Sequence, residues 1–252
     1  YEMMSCYEGL LEMYKLTGEK KYLEAVEKTV DTIIEQEINI AGSGSAFECW
    51  YGGKERQTQP TYHTMETCVT FTWMQLCNRL LQVTHNPQLA DKLEQTMYNA
   101  LMASLRADGG QISKYSPLEG MRSPGESQCE MNINCCNANG PRAFALIPQA
   151  MYHLQSQEAG DIVYVNLYAP SETTLALSGK KAPKVTFTQK TDYPVGGRIE
   201  IEVTPEKAAT FMLSLRIPMW SALDRVKATV NGEELKVDAY GWLPITREWK
   251  AG

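Results

Sequence analysis

The sequence predicts a two-domain α + β chain in which stacked helical hairpins precede an antiparallel β-sandwich. Three observations carry that expectation. Apolar residues recur at three- and four-residue steps through residues 1–156, the period of an amphipathic helix. One helical-hairpin pattern occurs twice, and a hairpin that cannot bury its own apolar face must stack on a neighbour. Beyond Asp161 the texture changes to short β-branched and aromatic runs separated by turn residues.

The first helix is read from Met3, Met4, Tyr7, Leu10, Leu11 and Tyr14, an apolar stripe that Thr17-Gly18 closes. Cys6 falls on its apolar face and is expected in the core. A second helix starts near Lys21 and turns Tyr22, Ala25, Val26, Val30, Ile33 and Ile34 inward. The pair returns later in the chain. Leu10-Leu11 is matched by Leu80-Leu81, Thr17-Gly18 by a turn near Pro87, and Leu23-Glu24 by Leu93-Glu94. The third helix carries Val69, Trp73, Leu76, Cys77 and Leu80, and the fourth carries Leu89, Leu93, Met97, Leu101 and Leu105. A fifth is expected over 138–155, entered through Gly140-Pro141 and holding His153. Solenoids and closed α/α toroids are the two usual outcomes of such stacking. Strands are expected at 162–168, 173–177, 185–189, 198–203, 210–217 and 226–230, and Asn231-Gly232 is a type I′ hairpin signal. The domain boundary is placed at 157–161, which divides the chain into residues 1–158 and 159–252.

Composition narrows the function classes. Of 252 residues, 43% are hydrophobic and 21% charged, enough to bury a core without disulfide staples. Lys plus Arg number 24 against 30 Asp plus Glu, a formal charge of −6 with no basic cluster, which argues against a nucleic-acid partner. No apolar run approaches the roughly 20 residues of a membrane helix, so no membrane partner is expected. There is no Gly-x-Ser-x-Gly elbow for a serine hydrolase. Gly52-Gly53 lacks the flanking strand and Lys-Ser/Thr of a phosphate loop. Tyr1-Glu2-Met3-Met4 reads as helix interior, so the chain is expected to begin within a longer protein.

Seven cysteines, an odd number, point away from a disulfide framework and towards free, metal-bound or catalytic thiols. Two features stand out. Glu66-Thr67-Cys68 sets a carboxylate and a thiol near a helix start, and Cys135-Cys136 is a vicinal pair leading into another helix. Three thiolates and one carboxylate would fill a tetrahedral zinc shell, and helix N-termini favour thiolates. Ordinary helix surface and buried core thiols also accommodate each motif on its own.

Beyond these, Tyr115-Ser116-Pro117-Leu118-Glu119-Gly120, Leu215-Arg216-Ile217-Pro218-Met219-Trp220, Asn231-Gly232-Glu233-Glu234 and Arg247-Glu248-Trp249-Lys250 follow in order. Together with the two cysteine motifs, this set resembles glycoside hydrolase family 127, the β-L-arabinofuranosidase group, over essentially the whole chain. The resemblance implies part of an (α/α)6 barrel (an α/α toroid) followed by a β-sandwich. It implies Zn²⁺ held by Glu66, Cys68, Cys135 and Cys136, with Cys135 as nucleophile. It also implies a Glu acid/base upstream, for which Glu48 is the candidate, and Tyr115 lining a sugar pocket. The reaction so implied is retaining hydrolysis of a β-L-arabinofuranoside-like residue, with an oligosaccharide or polysaccharide as partner. The family usually has a further Cys two positions before the pair and two prolines after it. Here those places hold Ile133 and Asn137-Ala138, which puts the substrate, rather than the metal or nucleophile, in doubt. The alternative is a non-catalytic carbohydrate-binding or scaffolding module with a structural zinc.

The remaining candidates each have an ordinary explanation too. His63 could face substrate, brace the metal site or be a satisfied loop histidine. Cys129 could be a spare ligand or a bystander, and Cys49 is read as a packing residue. Trp50, Tyr51 and Tyr62 could stack on sugar or cap the helices.

Overall fold

The computed structural model describes residues 1–44, 48–50, 63–122, 134–179 and 182–251. They form two compact units, Tyr1–Ile147 and Pro148–Gly252.

The first unit is helical. Helix α1 spans Glu2–Thr17 and ends on Gly18 at φ 72, the left-handed residue expected of Thr17-Gly18. Helix α2 spans Lys20–Thr32 and widens into a π-helical stretch, Ile33–Glu37. Helix α3, Thr67–Thr84, closes on His85 in the left-handed region. Helix α4 begins at Pro87, capped by Asn86 through a 3.0 Å bond from the Gln88 amide, and runs to Thr96. It too widens into a π-helical stretch, Met97–Leu101, before a last turn at Met102–Ser104. The repeat read from the sequence is therefore a real pair of hairpins, α1–α2 and α3–α4. Helix α3 packs on both α1 and α4. Its first turns are buried on every side, from Thr67 to Met74, as befits a helix surrounded by others.

Several expectations fail at exposed edges. Cys6 and Met3 are exposed, because α1 turns Met4 and Leu11 inward and leaves its flanks open. Ala25 is exposed for the same reason beside Val26 and Val30. Cys77 is buried as expected. Leu105 lies just past the last helical turn, in an isolated bridge with Ile112.

Helix α5 spans Cys135–Ala150, so the helix does not enter through Gly140-Pro141 but carries both inside it. The reason is packing: a Cβ at position 140 would lie 2.7 Å from Cγ1 and 2.8 Å from Cγ2 of Ile112. Only glycine lets the first turns of α5 come this close, which overrides its poor helix propensity.

The second unit is built of strands. Expected as the end of a helix, Tyr152–Gln157 is instead strand β1, and His153 stacks from it on Tyr164 at 6.0 Å. Strand β1 pairs antiparallel with β2, Gly160–Val165. Strands β3 (Ser171–Ala176), β4 (Lys184–Thr191) and β5 (Ile199–Pro205) form a three-stranded antiparallel sheet. Strand β6, Ala209–Ile217, then returns to lie parallel to β2 and antiparallel to β9, Gly241–Trp249, giving the order β1-β2-β6-β9. The four-stranded sheet is thus mixed and not wholly antiparallel. The excursion through β3–β5 supplies the long crossover that a parallel pair requires. Asn231 (φ 50) and Gly232 (φ 86) turn the hairpin between β7, Ala228–Val230, and β8, Glu233–Leu235. Phe187 of β4 lies 5.5 Å from the Tyr152 ring and 6.2 Å from Phe211, which stacks on Trp249 at 5.7 Å. Among the described residues, no helix is long and apolar enough to cross a membrane.

The Gly140–Ile112 approach can be checked directly. Gly140→Ala should cost about 1–2 kcal/mol, overpacking of about 1–3 kcal/mol outweighing a propensity gain of about 1 kcal/mol. In an Ile112→Ala background the same substitution should become neutral or stabilising. Denaturant unfolding of the four proteins closes the cycle, and an unchanged penalty in that background would refute the steric account.

Candidate metal and catalytic centre

Two helix starts meet at the site. Glu66 is the N-cap of α3, with one carboxylate oxygen, Oε2, accepting the Val69 amide at 2.9 Å. This leaves Oε1 free to face inward. Cys68 follows in the first turn of α3, while Cys135 and Cys136 occupy the first turn of α5. At the start of α5, the Asn134 side chain accepts the Cys136 amide at 3.0 Å. Both helices thus direct their partially positive ends at one cluster of potential anions.

The surrounding segments lock this junction. The Thr67 amide and hydroxyl donate to the carbonyls of Lys114 (2.9 Å) and Ser113 (2.7 Å), and the Ser116 amide donates to Thr64 at 2.9 Å. Residues 113–116 are thereby tied alongside the entry to α3. On the other side, Ser43 and Thr70 share a 2.7 Å hydroxyl contact. The Met65 amide donates to Gly44 at 3.0 Å with Met65 itself at φ 51. A β-unbranched residue in the left-handed region is an uncommon conformation held by its surroundings.

The four side chains named from the sequence converge. One ligand atom each of Glu66, Cys68, Cys135 and Cys136 lies within 4.8 Å of all the others. Cys136 Sγ donates to Glu66 Oε1 at 2.7 Å and lies 3.5 Å from Cys68 Sγ, and Cys135 Sγ is 3.8 Å from Glu66 Oε1. Glu66, Cys68 and Cys136 are fully buried, whereas Cys135 is half-buried. In a tetrahedral zinc shell, ligand sulfurs lie ~3.8 Å apart, given zinc–sulfur bonds of ~2.3 Å. The observed spacing, donor chemistry and burial therefore fit such an ion, with all four residues as its ligands.

The net effect of burial and mutual proximity on all three thiols runs in one direction. The Cys136 contact, burial and the Glu66 charge push the Cys68 thiol well above its ordinary range. Burial, then the Cys68 contact and charge, push Cys135 up to about 12. For Cys136 the Cys68 contact pulls down, but burial and Glu66 outweigh it and the net shift is upward. Without a cation the three thiols thus hold their protons, since clustered anions in a buried site repel one another.

The other candidates lie around this cluster. Tyr115 is buried, and its ring meets His63 edge-on at 4.8 Å. Burial, opposed by the Lys114 cation and aided by Glu66 and Glu48, raises the Tyr115 phenol. Glu48 lies 3.8 Å from the Lys114 ammonium, which stands 5.4 Å from the centre of the Tyr115 ring. Burial pulls that ammonium down, but Tyr115, Glu48, Cys135 and Cys136 together hold it above its ordinary value. Glu48 and the cysteine pair are hence close enough to act on one cation. Trp50 packs edge-on against Trp73 at 5.4 Å and donates to the Met4 sulfur at 3.3 Å, so it serves helix packing. Cys49 is exposed and not a packing residue, because the chain at 48–50 runs along the surface. Tyr51, Gly52-Gly53, Tyr62, Cys129 and Ile133 lie outside the described residues.

Sequence reasoning missed three contributors: Lys114, Asn139 and Arg142. Asn139 Nδ2 lies 3.0 Å from Cys68 Sγ, and Arg142 donates to Asn139 Oδ1 at 2.9 Å. Their spacing was a usable signal, since Cys136, Asn139 and Arg142 share one face of α5 at three-residue steps.

With this geometry in hand, comparison with known proteins is decisive. Residues 3–149 match the catalytic-domain model described as β-L-arabinofuranosidase, GH127, and residues 162–252 match the GH127 middle domain. The chain belongs to glycoside hydrolase family 127. A curated relative, the non-reducing end β-L-arabinofuranosidase of Bifidobacterium longum subsp. longum, is 23% identical over 244 residues, covering 89% of this chain and 35% of that protein. A GH127 β-L-arabinofuranosidase from Geobacillus stearothermophilus T6 superposes with a TM-score of 0.82 at 24% identity, covering 99% of this chain and 40% of the other. A second solved GH127 β-arabinofuranosidase gives 0.80 at 27% identity, with the same coverage of 99% and 40%. This GH127 chain therefore spans well under half the length of these relatives.

Two outcomes follow. Glu66→Ala should destabilise even the metal-free protein by about 0.5–2 kcal/mol, because it removes the N-cap of α3 as well as a candidate ligand; denaturant unfolding in chelator reads this. Metal affinity should fall as pH falls, by about tenfold per pH unit for each thiol proton displaced. Competition with a chromophoric chelator across pH 6–8 measures it, and a flat profile would contradict the protonated state of the metal-free thiols.

Proposed function

We propose that this protein is a retaining glycoside hydrolase with a zinc-bound cysteine nucleophile, acting on β-L-arabinofuranoside-like residues of plant-type glycans. The observation that carries the reading is the convergence of Glu66, Cys68, Cys135 and Cys136 with Cys135 alone half-buried. Membership of GH127 and the names of the relatives support the substrate class. By the same reading, the helices belong to an (α/α)6 barrel and the strands to a β-sandwich.

A zinc ion bound by these four side chains would hold the Cys135 sulfur as a thiolate at neutral pH. The remaining chemistry belongs to the chain itself. Cys135 is the ligand sulfur open to a substrate, and it attacks the anomeric carbon. Glu48 gives its proton to the departing glycosidic oxygen. Carbon–oxygen cleavage and carbon–sulfur bond formation leave the sugar on Cys135. Glu48 then takes a proton from water, whose oxygen displaces the sulfur and restores the original anomeric configuration. Lys114, 3.8 Å from Glu48, holds that carboxyl group beside the Tyr115 ring. The buried Tyr115 phenol and the adjoining His63 ring supply a polar edge and a flat surface for the sugar.

A second reading has one observation in its favour. Four protein ligands complete a zinc shell in the manner of structural sites, which suits a non-catalytic carbohydrate-binding or scaffolding module.

Covalent trapping separates the two. An electrophilic cyclic analogue of L-arabinofuranose should add to Cys135, identified by peptide mass spectrometry, and leave Cys135→Ser unlabelled. Glu48→Gln should lower turnover of an aryl β-L-arabinofuranoside by about 10²–10⁴-fold while metal content stays at that of the parent. A metal-loaded protein that the analogue never labels would favour the structural reading.

A further inference from the structure

Each of the two ligand-bearing helices presents a second residue three positions beyond a cysteine: Phe71 follows Cys68 on α3, and Asn139 follows Cys136 on α5. Arg142 lies one further turn along α5. These side chains form two rungs between the helices. In one, Asn139 Nδ2 lies 3.0 Å from Cys68 Sγ, with both residues buried. In the other, the Arg142 guanidinium stands 4.5 Å from the centre of the Phe71 ring, a cation–π contact. A 2.9 Å hydrogen bond from Arg142 Nη1 to Asn139 Oδ1 joins the rungs.

This hydrogen bond also fixes which way the amide points. Arginine can only donate, so the Asn139 atom facing it must be the carbonyl oxygen, and the amino group necessarily faces the sulfur. The Arg142 charge also acts on Glu8 of α1, which pairs with Arg79 at 3.1 Å. The amide is thus held from both ends before any ligand arrives.

We propose that Asn139, oriented by Arg142, is a positioning residue for the metal centre: it donates to the Cys68 sulfur, fixes its direction, and draws electron density from it. Cys68 is thereby committed to holding the metal, which leaves the half-buried Cys135 as the more electron-rich sulfur. Outer hydrogen bonds of this kind orient a ligand and tune its donor strength, and their loss commonly weakens metal binding 10–100-fold. The inference rests on the metal reading of the site, and its test separates the two.

Asn139→Leu keeps approximate volume and removes the donor; Arg142→Met keeps Asn139 but releases its carbonyl. Both are measured in the intact protein, with zinc affinity from chelator competition and with the absorption spectrum of the cobalt-substituted form. Zinc binding should weaken about 10–100-fold in Asn139→Leu and by a smaller factor in Arg142→Met. The sulfur-to-cobalt band should move to longer wavelength in both, because a sulfur without its hydrogen bond gives up charge more easily. Should Asn139→Leu fail to fold, as judged by circular dichroism, Arg142→Met alone decides. A parent that binds tightly and variants matching it in affinity and spectrum overturn this proposal while sparing the metal reading. A parent that takes up no metal overturns both.

Discussion

The site depends on how one carboxylate divides its two oxygens. Glu66 Oε2 closes the first turn of α3, and Oε1 meets the Cys136 sulfur at 2.7 Å. A shorter capping residue such as Ser or Asp would satisfy the same amide but would not offer a second oxygen at that reach. The cap therefore fixes the direction of the second oxygen. Burying a carboxylate is costly unless it is hydrogen-bonded or paired, and here both oxygens are engaged.

The remainder of the first unit serves to bring a second helix start to that oxygen. The close pass of Gly140 on Ile112 seats α5, and the Thr67 bonds to Ser113 and Lys114 tie the intervening segment to α3. Three thiols then surround one carboxylate in a space from which water is largely excluded. Differences in burial separate their roles. Cys68 and Cys136 are enclosed, and only Cys135 has a face left for anything else.

Much of the helical organisation was legible in the sequence. The α1–α2 and α3–α4 hairpins follow from periodicity and from Gly18 and Pro87, which are local signals. The failures were also local signals, overruled. Gly140-Pro141 reads as a helix entry by its own chemistry, yet contact with Ile112 places it inside α5. Tyr152–Gln157 continues an apolar pattern after a helix, but pairing with β2 makes it a strand. Likewise, nothing between β2 and β6 announces that they lie parallel, because register is set by partners distant in the chain.

The sequence alone determined the inventory: a carboxylate and a thiol two positions apart, a vicinal thiol pair, and helix starts beneath both. Those are short-range facts, expressed in spacing and capping chemistry. Only the tertiary structure decided that the two motifs share one centre, that Cys135 is its open member, and that Asn139 and Arg142 brace it. Such decisions turn on distances between segments remote in the chain and on which side chains lose water. Periodicity within a segment carries no record of either.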